Sequence, residues 1–326
     1  MSQHRAAIIG LGIMGRRMLA NLERHPSFEI AGMWDPSDGS VSKASAEFPS
    51  APTFDDPAAL IDKSIADLVY IACPPEWHKH YALMAIEAGV AVYTEKPLGV
   101  DITESEDLVK RLEAAGTPNV VNFVQASCEA LALTQGALDD GALGDVQGVD
   151  IIVQYQQWPR VWQVEADWLR FRDAGGYVRE VISHFIFVTE RLFGPARIKF
   201  SKPSYPADPA LCETHLVARL DCSGIPVNIF GSCGGIGPDR QEVTVWGSRA
   251  SRRISDFNLL AISDGSAWRD ALAPDADPRV TTLQRQLDNV ALWLNGEAHL
   301  LPSARDALSV QRVIEGMLAG ESPGLD

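Results

Sequence analysis

The hexapeptide Gly10-Leu11-Gly12-Ile13-Met14-Gly15 is the strongest constraint on how this 326-residue chain can fold. It follows the apolar run Ala6 to Ile9 and precedes a helical stretch, Arg16 to Glu23, so its glycines fall on a strand-to-helix turn. Glycines at these spacings permit a tight turn, close approach of backbone to a pyrophosphate, and close packing of helix on strand. The helix start adds unpaired N–H groups and a positive dipole end for phosphates. Such patterns also arise in ordinary turns, so the context carries the reading. A second strand, Glu29 to Trp34, ends at Asp35, 20 residues beyond Gly15, where a carboxylate can accept hydrogen bonds from ribose hydroxyls. Asp35 equally suits a turn, since it opens Asp35-Pro36-Ser37-Asp38-Gly39. In the nucleotide reading its charge repels the extra phosphate of NADP, and no arginine or lysine follows before Lys43. NAD is therefore the expected cofactor, ahead of NADP, with Gly10, Gly12, Ile13, Met14, Gly15 and Asp35 binding it.

Short apolar runs alternate with amphipathic stretches up to about residue 123, predicting an α/β Rossmann domain with a doubly wound parallel sheet over residues 1–123. Its strands are expected at Ala6 to Ile9, Glu29 to Trp34, Leu68 to Ala72, Ala91 to Tyr93 and Asn119 to Phe123. A helix from Thr103 to Ala115 begins on a capping box, Thr103 with Glu106, and ends at Gly116. Residues 124–326 read as an α+β substrate-binding and oligomerisation domain with a large open, mainly antiparallel sheet. Its strands are expected at Val146 to Tyr155, Thr214 to Leu220, Pro226 to Ser232, Glu242 to Trp246 and Arg252 to Ile254. Its helices are expected between Phe123 and Gly144, over Tyr177 to Phe193, and over Ser303 to Leu318.

Acidic residues outnumber basic ones 43 to 28, a net charge of −15 that disfavours nucleic acid and anionic membranes as partners. Apolar runs fall short of the roughly 20 residues a membrane helix needs. The 5 cysteines form no CxxC pair, which argues against both a disulfide framework and a structural zinc site; no metal is expected. Only a few residues precede the first strand, too few for a signal peptide, so a cytoplasmic protein is expected.

A strand also ends at Thr94-Glu95-Lys96-Pro97-Leu98, on the carboxyl edge of the sheet where ligands of doubly wound folds bind. Together with the glycine fingerprint and Cys73-Pro74-Pro75-Glu76-Trp77-His78, this segment resembles the Gfo/Idh/MocA family of sugar and cyclitol oxidoreductases, over nearly the whole chain. The resemblance implies that Lys96 contacts the reacting hydroxyl or carbonyl, and that Glu95, Lys96, Cys73, Pro74 and His78 line the cofactor site. Lys96 could otherwise be a solvated strand-end lysine, Cys73 a small buried hydrophobe, and His78 a helix-start residue. A motif of the family, roughly GGGxxxDxxxH, matches the segment that runs through Gly175 and Gly176 to His184, which keeps the histidine but has Glu180 at the aspartate position. The family's Asn-Arg-Arg-Phe-like stretch is here Asn122-Phe123-Val124-Gln125, without the arginines. These departures put a specific sugar in doubt and leave the reaction type.

Apart from the resemblance, Glu180 and His184 stand i, i+4 on a predicted helix, where a carboxylate can orient an imidazole and tune its titration. A surface pair would have the same spacing. Trp158, Trp162 and Trp168 interleave with Arg160, Arg170 and Arg172 just before this motif. Arg160 and Trp162 are candidate substrate contacts with Lys96, Glu180 and His184, although a hydrophobic seam would give the same pattern. The expected activity is hydride transfer between a nicotinamide and a secondary alcohol or ketone of a sugar, cyclitol or related small molecule. Lys96 would polarise the oxygen, His184 exchange its proton, and Glu180 orient His184. Alternatives are an imine or cyclic keto-acid reductase, or a non-catalytic nucleotide-sensing regulator. Similarity to the family also implies a homodimer or homotetramer.

Overall fold

The computed structural model describes residues 3–320. The chain forms two compact units, one built from residues up to Phe123 with Leu283–Leu308, the other from Val124–Thr282 with residues from Ser309 onward. The contiguous division expected from the sequence is thus corrected at 283–308, a segment that packs with the first unit.

The first unit runs β1 (His4–Ile9), α1 (Ile13–Leu22), β2 (Phe28–Trp34), α2 (Asp38–Glu47), α3 (Pro57–Leu60), β3 (Leu68–Ile71), α4 (His78–Ala88), β4 (Ala91–Thr94), α5 (Ile102–Ala115) and β5 (Asn119–Val121). Its five strands pair in parallel in the order β2-β1-β3-β4-β5. β3 and β4 are buried along their whole length, as apolar strands of a sheet covered on both faces must be. The order reverses between β1 and β3, and ligands of such sheets bind beyond the carboxyl ends at that reversal. An isolated parallel bridge from Met33 to Thr53 extends the sheet outside β2. The cap of α5 lies two residues before the expected one. Asp101, not Thr103, is the N-cap and accepts a 2.9 Å bond from the Glu104 N–H.

The second unit contributes α6 (Glu129–Asp139), β6 (Val146–Tyr155), α7 (Ser183–Phe193), β7 (Ala196–Ser204), β8 (His215–Cys222), β9 (Ile225–Cys233), β10 (Arg240–Gly247), β11 (Ser251–Ser255), β12 (Leu259–Ser263) and β13 (Arg269–Asp270). Two further helices follow, α8 (Pro278–Leu294) and α9 (Ala304–Ala319). Eight strands form one sheet in the order β13-β12-β11-β10-β6-β9-β8-β7, antiparallel except for the β6–β9 pair. Along β8, Leu216, Ala218 and Leu220 are buried while the residues between them face out, the period of a sheet with one covered face. β7, β12, β13 and α8 lie outside the sequence expectation. Among the described residues no helix is long and apolar enough to cross a membrane.

One buried ion pair ties the motif helix of this unit to α9. Arg179 is 8% exposed; its guanidinium grips both carboxylate oxygens of Glu315 at 2.7 and 2.8 Å and donates to the carbonyls of Arg172 and Gly175. Removing it leaves a poorly solvated carboxylate and two carbonyls without that donor. Arg179→Ala is expected to cost roughly 2–4 kcal/mol of unfolding free energy, read as a lower urea midpoint; an unchanged midpoint would show that water replaces the guanidinium.

Candidate functional site

In the first unit each glycine of the fingerprint has a separate physical task. Gly10 adopts φ +92°, and a Cβ there would come 2.7 Å from the backbone of Ala72 and Cys73. A Cβ on Gly15 would overlap the carbonyl oxygen of Gly10, so α1 can sit on β1 only without one. At Gly12 a Cβ would meet nothing within 4 Å. The space over Gly12 is therefore open to a ligand, beside the first amides of α1, which has no side-chain cap. That arrangement fits a pyrophosphate. Asp35 fulfils the turn reading, with Oδ1 accepting from Ser37 N–H at 2.9 Å, and also braces the loop, with Oδ2 accepting from Leu11 N–H at 2.7 Å.

Lys96 lies two residues past the end of β4, half-buried, next to a cis Lys96-Pro97 bond. Beneath it lies a buried polar network. Glu95 Oε1 accepts from the Tyr70 hydroxyl in a very short bond and from Asn122 Nδ2 at 2.8 Å, while Oε2 accepts from Lys96 N–H at 3.3 Å. Asn122 Oδ1 in turn accepts from the Tyr93 hydroxyl at 2.6 Å and from Gln286 Nε2 at 3.2 Å. Burial raises the Glu95 pKa against these hydrogen bonds and the Lys96 charge, and raises that of Tyr70 well above the usual phenol. Glu95, expected to line the cofactor site, is 6% exposed with both oxygens committed to protein groups. Its role is to hold the lysine-bearing turn.

His78 is likewise committed to protein groups. It opens α4, is 1% exposed, and has Nδ1 3.0 Å from the Pro97 carbonyl and Nε2 3.0 Å from the Cys73 carbonyl. Burial pushes its pKa down to about 4. The ring is neutral at pH 7, donates to one carbonyl, and packs the Lys96-Pro97 turn against the end of β3. Burial drives the Cys73 thiol up to about 12, so it supplies no thiolate at neutral pH. Pro74 leads into a short 3₁₀ turn, Pro75–Trp77.

In the second unit the motif helix begins differently from its expected form. A π-helical turn, Val178–Ile182, precedes α7, so Glu180 stands in a π turn and His184 in the first turn of α7, not on one continuous α-helix. Turns of this kind recur at functional sites. Gly176, at φ +102°, faces Glu213, and a Cβ there would lie 2.6 Å from its Oε2. Glu213 Oε1 accepts the Val178 N–H at 2.8 Å, anchoring the turn. The His184 ring meets Phe257 edge-on at 5.4 Å, and Phe185 stacks on Phe257 at 5.5 Å. Phe257 and Asp256 have φ of +65° and +48°, which costs of order 1–3 kcal/mol per residue. The Cys128 thiol donates to the Phe257 carbonyl at 3.4 Å and holds this turn. Nothing in the sequence pattern singled out Phe257.

The tryptophan and arginine segment divides by role. Trp158 donates to the Leu169 carbonyl at 2.8 Å, Arg170 pairs with Asp167 at 2.9 Å, and Arg172 lies over Tyr205 at 3.8 Å. Arg160 is half-buried among Tyr155, Trp158 and Trp162, with Glu180 among the charges that act on it. Thus Arg160, Glu180, His184 and Phe257 share one region of this unit.

Residues 4–123 match the model of an oxidoreductase family with an NAD-binding Rossmann fold. That family is the Gfo/Idh/MocA oxidoreductases, and the match covers the first unit up to Phe123. An inositol 2-dehydrogenase of Mycolicibacterium gilvum is 25% identical over 304 residues, covering 89% of this chain and 84% of that protein. A dehydrogenase of Bordetella pertussis, solved in complex with NADH and UDP-GlcNAcA, superposes with a TM-score of 0.79 at 20% identity, over 97% of this chain and 94% of that one. A 3-ketoreductase of Actinomadura kijaniata in complex with NADP and TDP-benzene superposes with a TM-score of 0.82 at 17% identity, over 98% of each chain. The chain is thus similar to NAD(P)-binding oxidoreductases, and the sheet architecture of both units is that of these solved proteins.

Burial raises Glu213 from 4.5 to about 7. The folded chain therefore keeps a proton that the unfolded chain releases between those values. The stability this provides is full below about pH 4.5 and is lost as pH rises through 7. Glu213→Gln retains an acceptor for Val178 and cannot ionise. Its melting temperature is expected to exceed the wild type's at pH 8 and to converge on it at pH 5. Parallel melting curves across that range would assign the slope to other groups.

Proposed function

We propose that this oxidoreductase moves a hydride between a nicotinamide and a secondary alcohol or ketone carbon of a sugar, cyclitol or related polyhydroxylated molecule, with NAD as its cofactor. One observation carries the reading. Lys96 is held by a buried network at the carboxyl edge of the same sheet whose glycine loop is open over Gly12. Gly10 to Gly15 and the first turn of α1 would hold the pyrophosphate, and Asp35 the adenosine ribose. When bound, the nicotinamide supplies a hydride acceptor or donor at C4. In the oxidative direction the carbinol C–H bond gives up its electron pair as hydride, the O–H proton goes to His184 and then to solvent, and a carbonyl remains. Lys96 donates a hydrogen bond to the oxygen throughout. Glu180 keeps the imidazole of His184 oriented. The inositol 2-dehydrogenase relative supports a polyol as substrate.

The preference for NAD rests on the acidic end of β2. Asp35 and Asp38 both stand there, while Arg16 is turned to the Leu11 carbonyl at 2.8 Å and to Glu47 at 3.4 Å. A 2′-phosphate would meet carboxylates. We also propose a homo-oligomer assembled on the outer face of the eight-stranded sheet, where Val217 and Phe230 pair across β8 and β9 and are 45% and 53% exposed. The net charge of −15 disfavours nucleic acid and anionic membranes as partners, and the 5 thiols suit a reducing compartment such as the cytoplasm.

Tryptophan fluorescence titration is expected to show at least tenfold tighter binding of NADH than of NADPH. Lys96→Met and His184→Ala should each lower kcat on polyols by about a hundredfold or more with NADH affinity retained. Equal affinities would refute the NAD preference, and binding of neither nucleotide would overturn the reading. By light scattering after size exclusion, Phe230→Asp should reduce the assembly to a monomer; a monomeric wild type would remove the oligomer proposal.

A further inference from the structure

Arg160 is an expensive residue for this chain to keep where it is. Its guanidinium carbon lies 4.9 Å from the Tyr155 ring, 5.9 Å from Trp158 and 4.7 Å from Trp162. Nε donates to Gln163 Oε1 at 3.1 Å, and Gln163 is itself buried and accepts the Arg160 N–H at 3.2 Å. The fork is therefore fixed by rings and by one amide, leaving its terminal N–H groups for a further acceptor. A second cation, Arg279 at the start of α8, lies 5.9 Å from the same Trp162 ring. Burial lowers the Arg160 pKa, and the charge of Arg279 lowers it further; Tyr155, Asp239 and Glu180 act in the opposite direction. Among the described residues no carboxylate is within ion-pair distance of either guanidinium, in a chain whose net charge is −15. Arg170, Arg179 and Arg240, by contrast, each have one.

We infer that Arg160, with Arg279 beside it across Trp162, is a subsite for an oxyanion on the substrate, so that the preferred substrate is a polyhydroxylated carboxylate, a sugar acid of the aldonate or uronate class, and not a neutral sugar or cyclitol. This rests on the dehydrogenase reading above and narrows its substrate. A planar fork binds carboxylate and phosphate alike. Carboxylate is the better match because Glu180 and Asp239 stand near, and a dianionic phosphate would meet more repulsion there than a single negative charge. Glu180 is common to this subsite and to the His184 region, so an acid held here is delivered beside the candidate proton acceptor.

The test uses the full chain with NAD and matched probes: glucuronate beside glucose, gluconate beside sorbitol, a hexose phosphate, and myo-inositol. Initial rates are paired with binding of each probe to the NADH complex, followed by tryptophan fluorescence. The acids are expected to exceed their neutral partners at least tenfold in kcat/KM and in affinity. Arg160→Ala should lower the acids about a hundredfold, mainly through KM, and bring the acid-to-neutral ratio close to one; Arg160→Lys should restore part of it and Arg279→Ala lose part. Turnover that favours neutral members or the hexose phosphate overturns the inference and leaves the dehydrogenase standing. So does an acid preference that survives in Arg160→Ala. Failure of every probe to bind or react, with NADH binding intact, removes both the sugar acid and the polyol reading.

Discussion

A carboxylate buried at the end of β4 organises the first unit. Glu95 cannot be hydrated where it stands, so its oxygens must be met by protein donors, and those donors come from every neighbouring element. Tyr70 reaches it from β3, Asn122 from just beyond β5, and the Lys96 amide from its own turn; Tyr93 and Gln286 then satisfy the Asn122 carbonyl. Gln286 is fully buried and lies on α8, more than 160 residues along the chain from Asn122. Its amide gives a physical reason for 283–308 to belong to this unit. The same segment is fastened at β5, where Val121 N–H donates to the Pro302 carbonyl at 2.9 Å and Asn119 Oδ1 accepts from Ala304 N–H at 3.0 Å. Losing any one partner would leave another polar group buried without its bond, which couples the position of Lys96 to four separate parts of the sequence.

That coupling explains what could be read from the sequence and what could not. The glycine fingerprint, the strand ends and the Glu95-Lys96-Pro97 turn are local signals, because a turn between strand and helix constrains residues a few positions apart. Gln286 has no local signal, since its hydrogen-bond partner is distant in sequence. α8 has a local start signal, Asp277 accepting the Val280 N–H at 3.1 Å ahead of Pro278, but nothing local shows that its later part packs with the first unit. β7 is the edge strand of its sheet and carries Lys199, Lys202 and Pro203, residues that protect an edge and hide a strand from pattern reading. The Glu180 and His184 spacing was legible, but its geometry was not, because the π turn that resets the helix register depends on Glu213 from a distant loop.

The packing of the motif segment in the second unit depends on a glycine elsewhere in the chain. Tyr177 follows the two glycines of the motif segment, Gly175 and Gly176, and is fully buried, which needs space that a neighbouring side chain would normally occupy. β9 provides it at Gly231, where a Cβ would lie 2.8 Å from the Tyr177 ring. Trp158 closes the other side, with ring centroids 6.2 Å apart. The aromatic ring therefore links the motif to the segment that carries Arg160, and Tyr155, paired through its hydroxyl with Gln241, packs against Trp158 at 5.8 Å. With a glycine at 177, the ring that supports Trp158 would be missing. Tyr177 thus helps turn the loop before the motif into a packed wall that fixes one guanidinium. A site that held only neutral hydroxyls would have no evident need for that expense, and the strain accepted at Asp256 and Phe257 to brace His184 points the same way: this unit spends stability on fixing a small set of polar groups in one region.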